Sequence, residues 1–78
     1  MQTPILLPDL GLANVTASIW LAKRGDEVTE GDRLLEVLAD GVTVDLPAPC
    51  NGRLIKTLVN EDDPLAVGQL LGIIESAE

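Results

Sequence analysis

Apolar residues in this chain come in short bursts separated by polar turns rich in glycine and proline. Residues 3–7 (TPILL) form a first strand-like run closed by Pro8, and residues 9–13 (DLGLA) read as a loop. Residues 15–22 (VTASIWLA) predict a strand with Val15, Ala17, Ile19 and Leu21 on one face and Trp20 on the other. A helix is rejected there because no 3.6-residue stripe continues beyond Lys23. Residues 23–32 (KRGDEVTEGD) are polar, punctuated by Gly25 and Gly31, with Val28 as their one apolar anchor. Two further runs, 34–38 and 42–46, flank Asp40-Gly41. Asp-Gly between strand-like runs is a strong hairpin signal, because a two-residue type I′ turn needs positive φ at both central residues. Pro47 and Pro49 cannot donate to a ladder, so the second arm must end there or lie at an edge. A turn at Cys50-Asn51-Gly52, a strand over 53–59, an acidic turn over 60–64, a last strand over 69–74 and a frayed end over 75–78 complete the pattern.

The pattern repeats. A shift of 37 residues (68 minus 31) lays residues 25–37 over 62–74. Asp26 then meets Asp63, Val28 meets Leu65, Gly31 meets Gly68, Leu34 meets Leu71 and Val37 meets Ile74, with Leu21 over Leu58 upstream. Each half reads as strand, polar turn with one aliphatic, glycine, strand. Two such halves packed face to face predict a small all-β sandwich or flattened barrel over residues 1–78, a single domain.

Composition narrows the function. With 78 residues the core is thin, and with no Phe or Tyr and one Trp it is aliphatic. A net charge of −8 argues against nucleic acid or an anionic membrane as partner and leaves basic surfaces open. The absence of histidine removes the commonest general base and metal ligand. No nucleophile–base pair or phosphate-cradling loop is present, so catalysis by this chain alone is not expected. One cysteine cannot form an internal disulfide, and residues 1–10 lack a secretory pattern; the expectation is a soluble, acidic, monomeric, cytoplasmic domain.

Individual residues have bland readings beside sharper ones. Cys50 could carry an acyl or redox group, but no neighbour would stabilise its thiolate, and a semi-buried small residue is the simpler use. Glu61-Asp62-Asp63 lacks the spaced ligands of a calcium loop and reads as a solvated turn. Asp26, Glu27, Glu30 and Asp32 form an acidic patch beside Lys23 and Arg24 that either steers a basic partner or keeps the domain soluble. Trp20 either anchors a partner or plugs the barrel end, the commoner role.

Taken in order, Pro8-Asp9-Leu10-Gly11, then Trp20, Lys23, Gly25, Asp26 and Val28 (W-x-x-K-x-G-D-x-V), Gly31-Asp32, Glu36-Val37, Pro47-Ala48-Pro49, Gly52, Gly68 and Ile73-Ile74 make a pattern. The chain resembles the lipoyl domains of 2-oxo acid dehydrogenase complexes and, more broadly, the biotinyl/lipoyl carrier domains (the single-hybrid-motif barrel). The resemblance runs from Pro4 to Glu75 and implies two four-stranded sheets related by a pseudo-two-fold axis. In such lipoyl domains the hairpin tip reads Asp-Lys and the lysine carries lipoate; in biotinyl domains the lysine lies between methionines.

Counting back from Pro47-Ala48-Pro49, the lysine position falls on Gly41, beside Asp40. Glycine can hold neither lipoate nor biotin, and the two lysines present, Lys23 and Lys56, fall away from the predicted tip. Leu38 and Ala39 stand where Glu and Thr are usual in the family, and Val42 where Ala is common. The whole turn has drifted, which favours natural degeneration over an engineered Lys→Gly change. The resemblance therefore implies one of two things. The chain is a degenerate lipoyl-like module that docks on or regulates a 2-oxo acid dehydrogenase component or a lipoyl ligase, or it is an acyl-carrier lipoyl domain of a dihydrolipoamide acyltransferase whose arm is missing from this sequence or comes from a sister domain. A kinship with the lipoyl-like segments of efflux-pump adaptors is disfavoured, because those are split by a long helical hairpin.

Overall fold

The computed structural model describes residues 1–76, and every regular element among them is a strand. In chain order these are β1 (Gln2–Leu6), β2 (Val15–Trp20), β3 (Glu27–Val28), β4 (Arg33–Ala39), β5 (Val42–Pro47), β6 (Gly52–Thr57) and β7 (Leu70–Glu75). One sheet runs β1-β7-β6-β3 and the other β2-β4-β5, with antiparallel pairing throughout. A single antiparallel bridge between Thr16 and Pro64 stands where the second sheet would carry its fourth strand. The two expected sheets are therefore present, but with four strands and three, the second sheet's fourth strand being reduced to this bridge.

The internal repeat is visible bond by bond. Leu21 N–H donates to Leu34 O, and 37 residues on Leu58 N–H donates to Leu71 O. Asp26 N–H donates to Lys23 O as Asp63 N–H does to Asn60 O, and Asp32 to Thr29 as Gln69 to Ala66. Leu54 N–H to Asp26 O is mirrored by Ala17 N–H to Asp63 O, so each half closes on the other. β1 and β5 correspond at a different spacing: Ala48 N–H to Asp32 O matches Leu7 N–H to Gln69 O, an offset of 41 (48 minus 7). Between the sheets lies an aliphatic core in which Leu34, Leu35, Val37, Leu54, Leu71 and Ile74 are fully enclosed. Burying each such side chain is worth about 1.5–3 kcal/mol, and no polar side chain among the described residues is buried with them.

Three expectations need correction. The alternation predicted across 15–22 breaks, because the β2–β4 register shifts between Ala17 and Ile19. The inserted residue, Ser18, reverses which side chains point inward. Val15 and Ala17 are buried, whereas Ile19 and Leu21 lie 51% and 45% exposed. Residues 27–28 form a short strand against Arg53 and Gly52 of β6, where the sequence predicts only a polar turn. The end is ordered as far as it is described: Glu75 pairs with Gln2 and Arg53, and Ser76 N–H donates to Met1 O. Ala77 and Glu78 lie outside the described residues.

Candidate functional site

The β4–β5 hairpin turns at Asp40 and Gly41, with φ of 49° and 79°, as the two-residue turn requires. Ala39 pairs directly with Val42 beneath the turn, so the tip is tight. Positive φ disfavours a side chain at either position, and Asp is among the few residues that tolerate it. Asp40 has a second use. Its Oδ2 accepts the Ala13 N–H at 2.9 Å and its Oδ1 accepts the Asn14 amide at 3.2 Å. One carboxylate thus ties the tip to the loop between β1 and β2, which is shaped further by the Gly11 N–H donating to Asp9 Oδ1 at 2.9 Å. Nothing in the sequence marks Ala13 and Asn14; 27 and 26 residues separate them from Asp40, and no local pattern signals the contact.

The tip presents no side-chain amine. β2 runs from Val15 beside Ala39, near the tip, to Trp20 beside Leu35, so Lys23 lies beyond the far end of the hairpin. Its N–H donates to Asp26 Oδ2 at 2.8 Å. Lys56 sits in the other sheet, in register with Ile73. The residues at the turn therefore do not fit an amide-linked lipoyl or biotinyl group, and no chemistry is routed through one. Leu38 and Val42, 41% and 53% exposed, flank the turn instead.

Three of the acidic side chains close turns. Asp26, Asp32 and Asp63 accept the backbone N–H groups of Lys23, Thr29 and Asn60, closing three equivalent turns. No group of three or more His, Cys, Asp or Glu side chains among the described residues is arranged to hold a metal. Trp20 is half-buried, its indole N–H donating to Val59 O at 2.9 Å, and it packs on the core as a plug. Cys50 also packs against the core, half-buried. A groove of about 620 Å³ beside β4 collects Asp26, Glu27, Asp32, Glu36 and Asp45 around Arg33. Arg33 reaches Asp45 at 3.3 Å, an exposed pair that contributes little to stability.

The chain is thus a two-sheet barrel with internal two-fold symmetry and an exposed β4–β5 tip. Residues 3–74 match the family model described as biotin-requiring enzyme, the biotin/lipoyl family, and the chain belongs to it. It is 36% identical over 97% of its length to the dihydrolipoyllysine-residue succinyltransferase component of the 2-oxoglutarate dehydrogenase complex of Bartonella vinsonii subsp. berkhoffii, covering 19% of that protein. It is 35% identical over 96% of its length to the acetyltransferase component of the pyruvate dehydrogenase complex of Corynebacterium glutamicum, covering 11% of it. The chain thus spans about a fifth or less of these relatives. The lipoyl domain of the Azotobacter vinelandii 2-oxoglutarate dehydrogenase complex superposes with a TM-score of 0.71 over 99% of both chains at 23% identity, which bears on the fold alone.

Proposed function

We propose that this chain is a lipoyl domain that has kept the carrier platform and lost the carrier arm, and that it acts as a non-catalytic docking or regulatory module in the cytoplasm. The observation that carries this reading is the tip. The hairpin is closed and braced by Asp40, yet Gly41 offers no amine to acylate. The partner on this reading is a protein that recognises lipoyl domains, either a 2-oxo acid dehydrogenase component or a lipoyl ligase. The chain's charge of −8 suits a basic surface on that partner and not nucleic acid or an anionic membrane. A second reading is supported by the identity to acyltransferase components: a carrier-lineage domain of such a complex, with the arm supplied by a sister domain.

Gly41→Lys separates them. A Cβ at Gly41 meets nothing within 4 Å, so a side chain has room, at a conformational cost of about 1–2 kcal/mol for positive φ. With a lipoyl ligase, lipoate and ATP, the variant should be modified only partially, because Leu38 and Ala39 also depart from the family tip. Modification as fast as that of a lysine-bearing lipoyl domain would favour the second reading. A folded variant that is not modified at all would remove the ligase from the candidate partners.

A further inference from the structure

Of the three asparagines in the chain, Asn14, Asn51 and Asn60, only Asn51 is followed by glycine. The backbone nitrogen after an asparagine can attack the side-chain amide and close a five-membered succinimide. The side chain of that following residue is what ordinarily obstructs the approach. Val15 and Glu61 supply the obstruction after Asn14 and Asn60, and Gly52 supplies none. The fold requires this glycine. A Cβ at position 52 would lie 2.5 Å from the Glu75 carbonyl oxygen and 2.7 Å from Ile74 Cγ2, so a larger residue would clash where β6 begins. Asn51 itself is exposed, and its Oδ1 accepts the Glu30 N–H at 2.7 Å. That oxygen is where negative charge gathers when a nucleophile adds to Cγ, and a fixed backbone N–H aimed at it is the arrangement that stabilises a tetrahedral intermediate. The attacking nitrogen belongs to a weak rung. Gly52 pairs with Val28 at the end of the two-residue edge strand β3, where few contacts oppose local opening.

We propose that Asn51 is a site of spontaneous deamidation in the folded protein, with water as the only co-reactant. The Gly52 nitrogen bonds to Asn51 Cγ and the Cγ–Nδ2 bond breaks. Nδ2 leaves as ammonia, taking up through solvent the proton that the Gly52 nitrogen gives up. Water then opens the succinimide. Addition at Cγ breaks the newly formed bond and leaves aspartate. Addition at the Asn51 backbone carbonyl carbon breaks the original peptide bond and leaves isoaspartate, with the chain running through the side chain. One water is consumed, one ammonia is released, and nothing is oxidised or reduced. The two products differ in consequence. Aspartate keeps an oxygen for the Glu30 N–H and adds a negative charge to the groove that Asn51 shares with Glu27 and Glu75. Isoaspartate adds a methylene to the backbone directly before Gly52, which moves β6 out of register with Glu27 and Val28 and loosens the Arg53–Glu27 pair at 3.2 Å. The change in mass is far smaller than that of an acyl group, and the site does not depend on what the hairpin tip carries.

The test is incubation of the whole folded chain at physiological temperature and mildly alkaline pH, beside the same chain held unfolded in guanidinium chloride. Peptide mapping by mass spectrometry follows each asparagine. In the folded chain Asn51 should be converted at a rate within about tenfold of that in denaturant, because only the end of a short edge strand must open. Asn14 and Asn60 should remain amides over the same interval. Asn51→Asp should give an amide spectrum close to that of the unaltered chain, since the Glu30 N–H keeps its acceptor. The isoaspartyl form, separated from aged protein, should instead show displaced signals at Val28 and Arg53 and unchanged ones at Asp40 and Gly41. Conversion in the folded chain slowed by more than about tenfold would overturn the proposal, because it would show that the fold shields the site. Conversion at Asn14 or Asn60 as fast as at Asn51 would overturn it as well.

Discussion

Leu71→Ala should cost about 3–5 kcal/mol and leave much of the chain unfolded at 37 °C. Leu71 is fully enclosed at the centre of the aliphatic core. A chain of 78 residues has a total stability of roughly 4–12 kcal/mol, so one such loss consumes a large part of it. No aromatic ring other than Trp20 is available to collapse into the void. The pseudo-symmetry adds a stricter requirement. Leu34 is the equivalent residue and equally enclosed, so Leu34→Ala should cost nearly as much. Urea unfolding followed by Trp20 fluorescence measures both. A loss below about 1 kcal/mol at either position would contradict the packing described.

Gly72→Ala is expected to destabilise by about 2–3 kcal/mol although it adds a single methyl group. A Cβ at Gly72 would lie 2.5 Å from the Lys56 carbonyl oxygen, 3.3 Å from Trp20 Cη2 and 3.4 Å from Ile5 Cδ1. The first of these is backbone of the adjacent strand and cannot withdraw without parting β6 from β7. The cause lies in how the two halves share volume. Trp20 pairs with Leu35 in one sheet, and their equivalents Thr57 and Gly72 pair in the other. The large pair and the small pair are complementary, and the indole fills space that Gly72 leaves open. Gly72→Ala with Trp20→Phe should recover part of the loss, since the smaller ring relieves one of the three contacts. Thermal melts of the two variants test this; full stability in Gly72→Ala alone would show that the strands can separate freely.

Much of this architecture is legible in the residues. Asp40-Gly41 announces its turn because few other pairs accept two positive φ values, and the φ angles observed there agree. The 37-residue repeat is legible because the turn chemistry of Asp26 and Asp63 and the enclosed Leu34 and Leu71 recur at one spacing. What fails to show is non-local or depends on a single inserted residue. Ser18 has no feature that marks it as a bulge, yet it reverses the facing of Ile19 and Leu21. Glu27-Val28 is too short to register as a strand until β6 lies beside it. The bonds from Ala13 and Asn14 to Asp40 span three strands of chain and exist only in the fold. At the tip itself, the turn geometry follows from Asp40-Gly41, and the residue at position 41 alone decides whether an amine is on offer.

Whether this platform carries an acyl group is decided most directly by the intact mass of the protein isolated from its own cells, followed by peptide mapping. A bare hairpin tip at Asp40-Gly41 predicts the mass of the unmodified polypeptide, with Lys23 and Lys56 free of any acyl group. A mass raised by one lipoyl or biotinyl group, mapped to either lysine, would contradict that prediction and move the attachment site away from the β4–β5 turn.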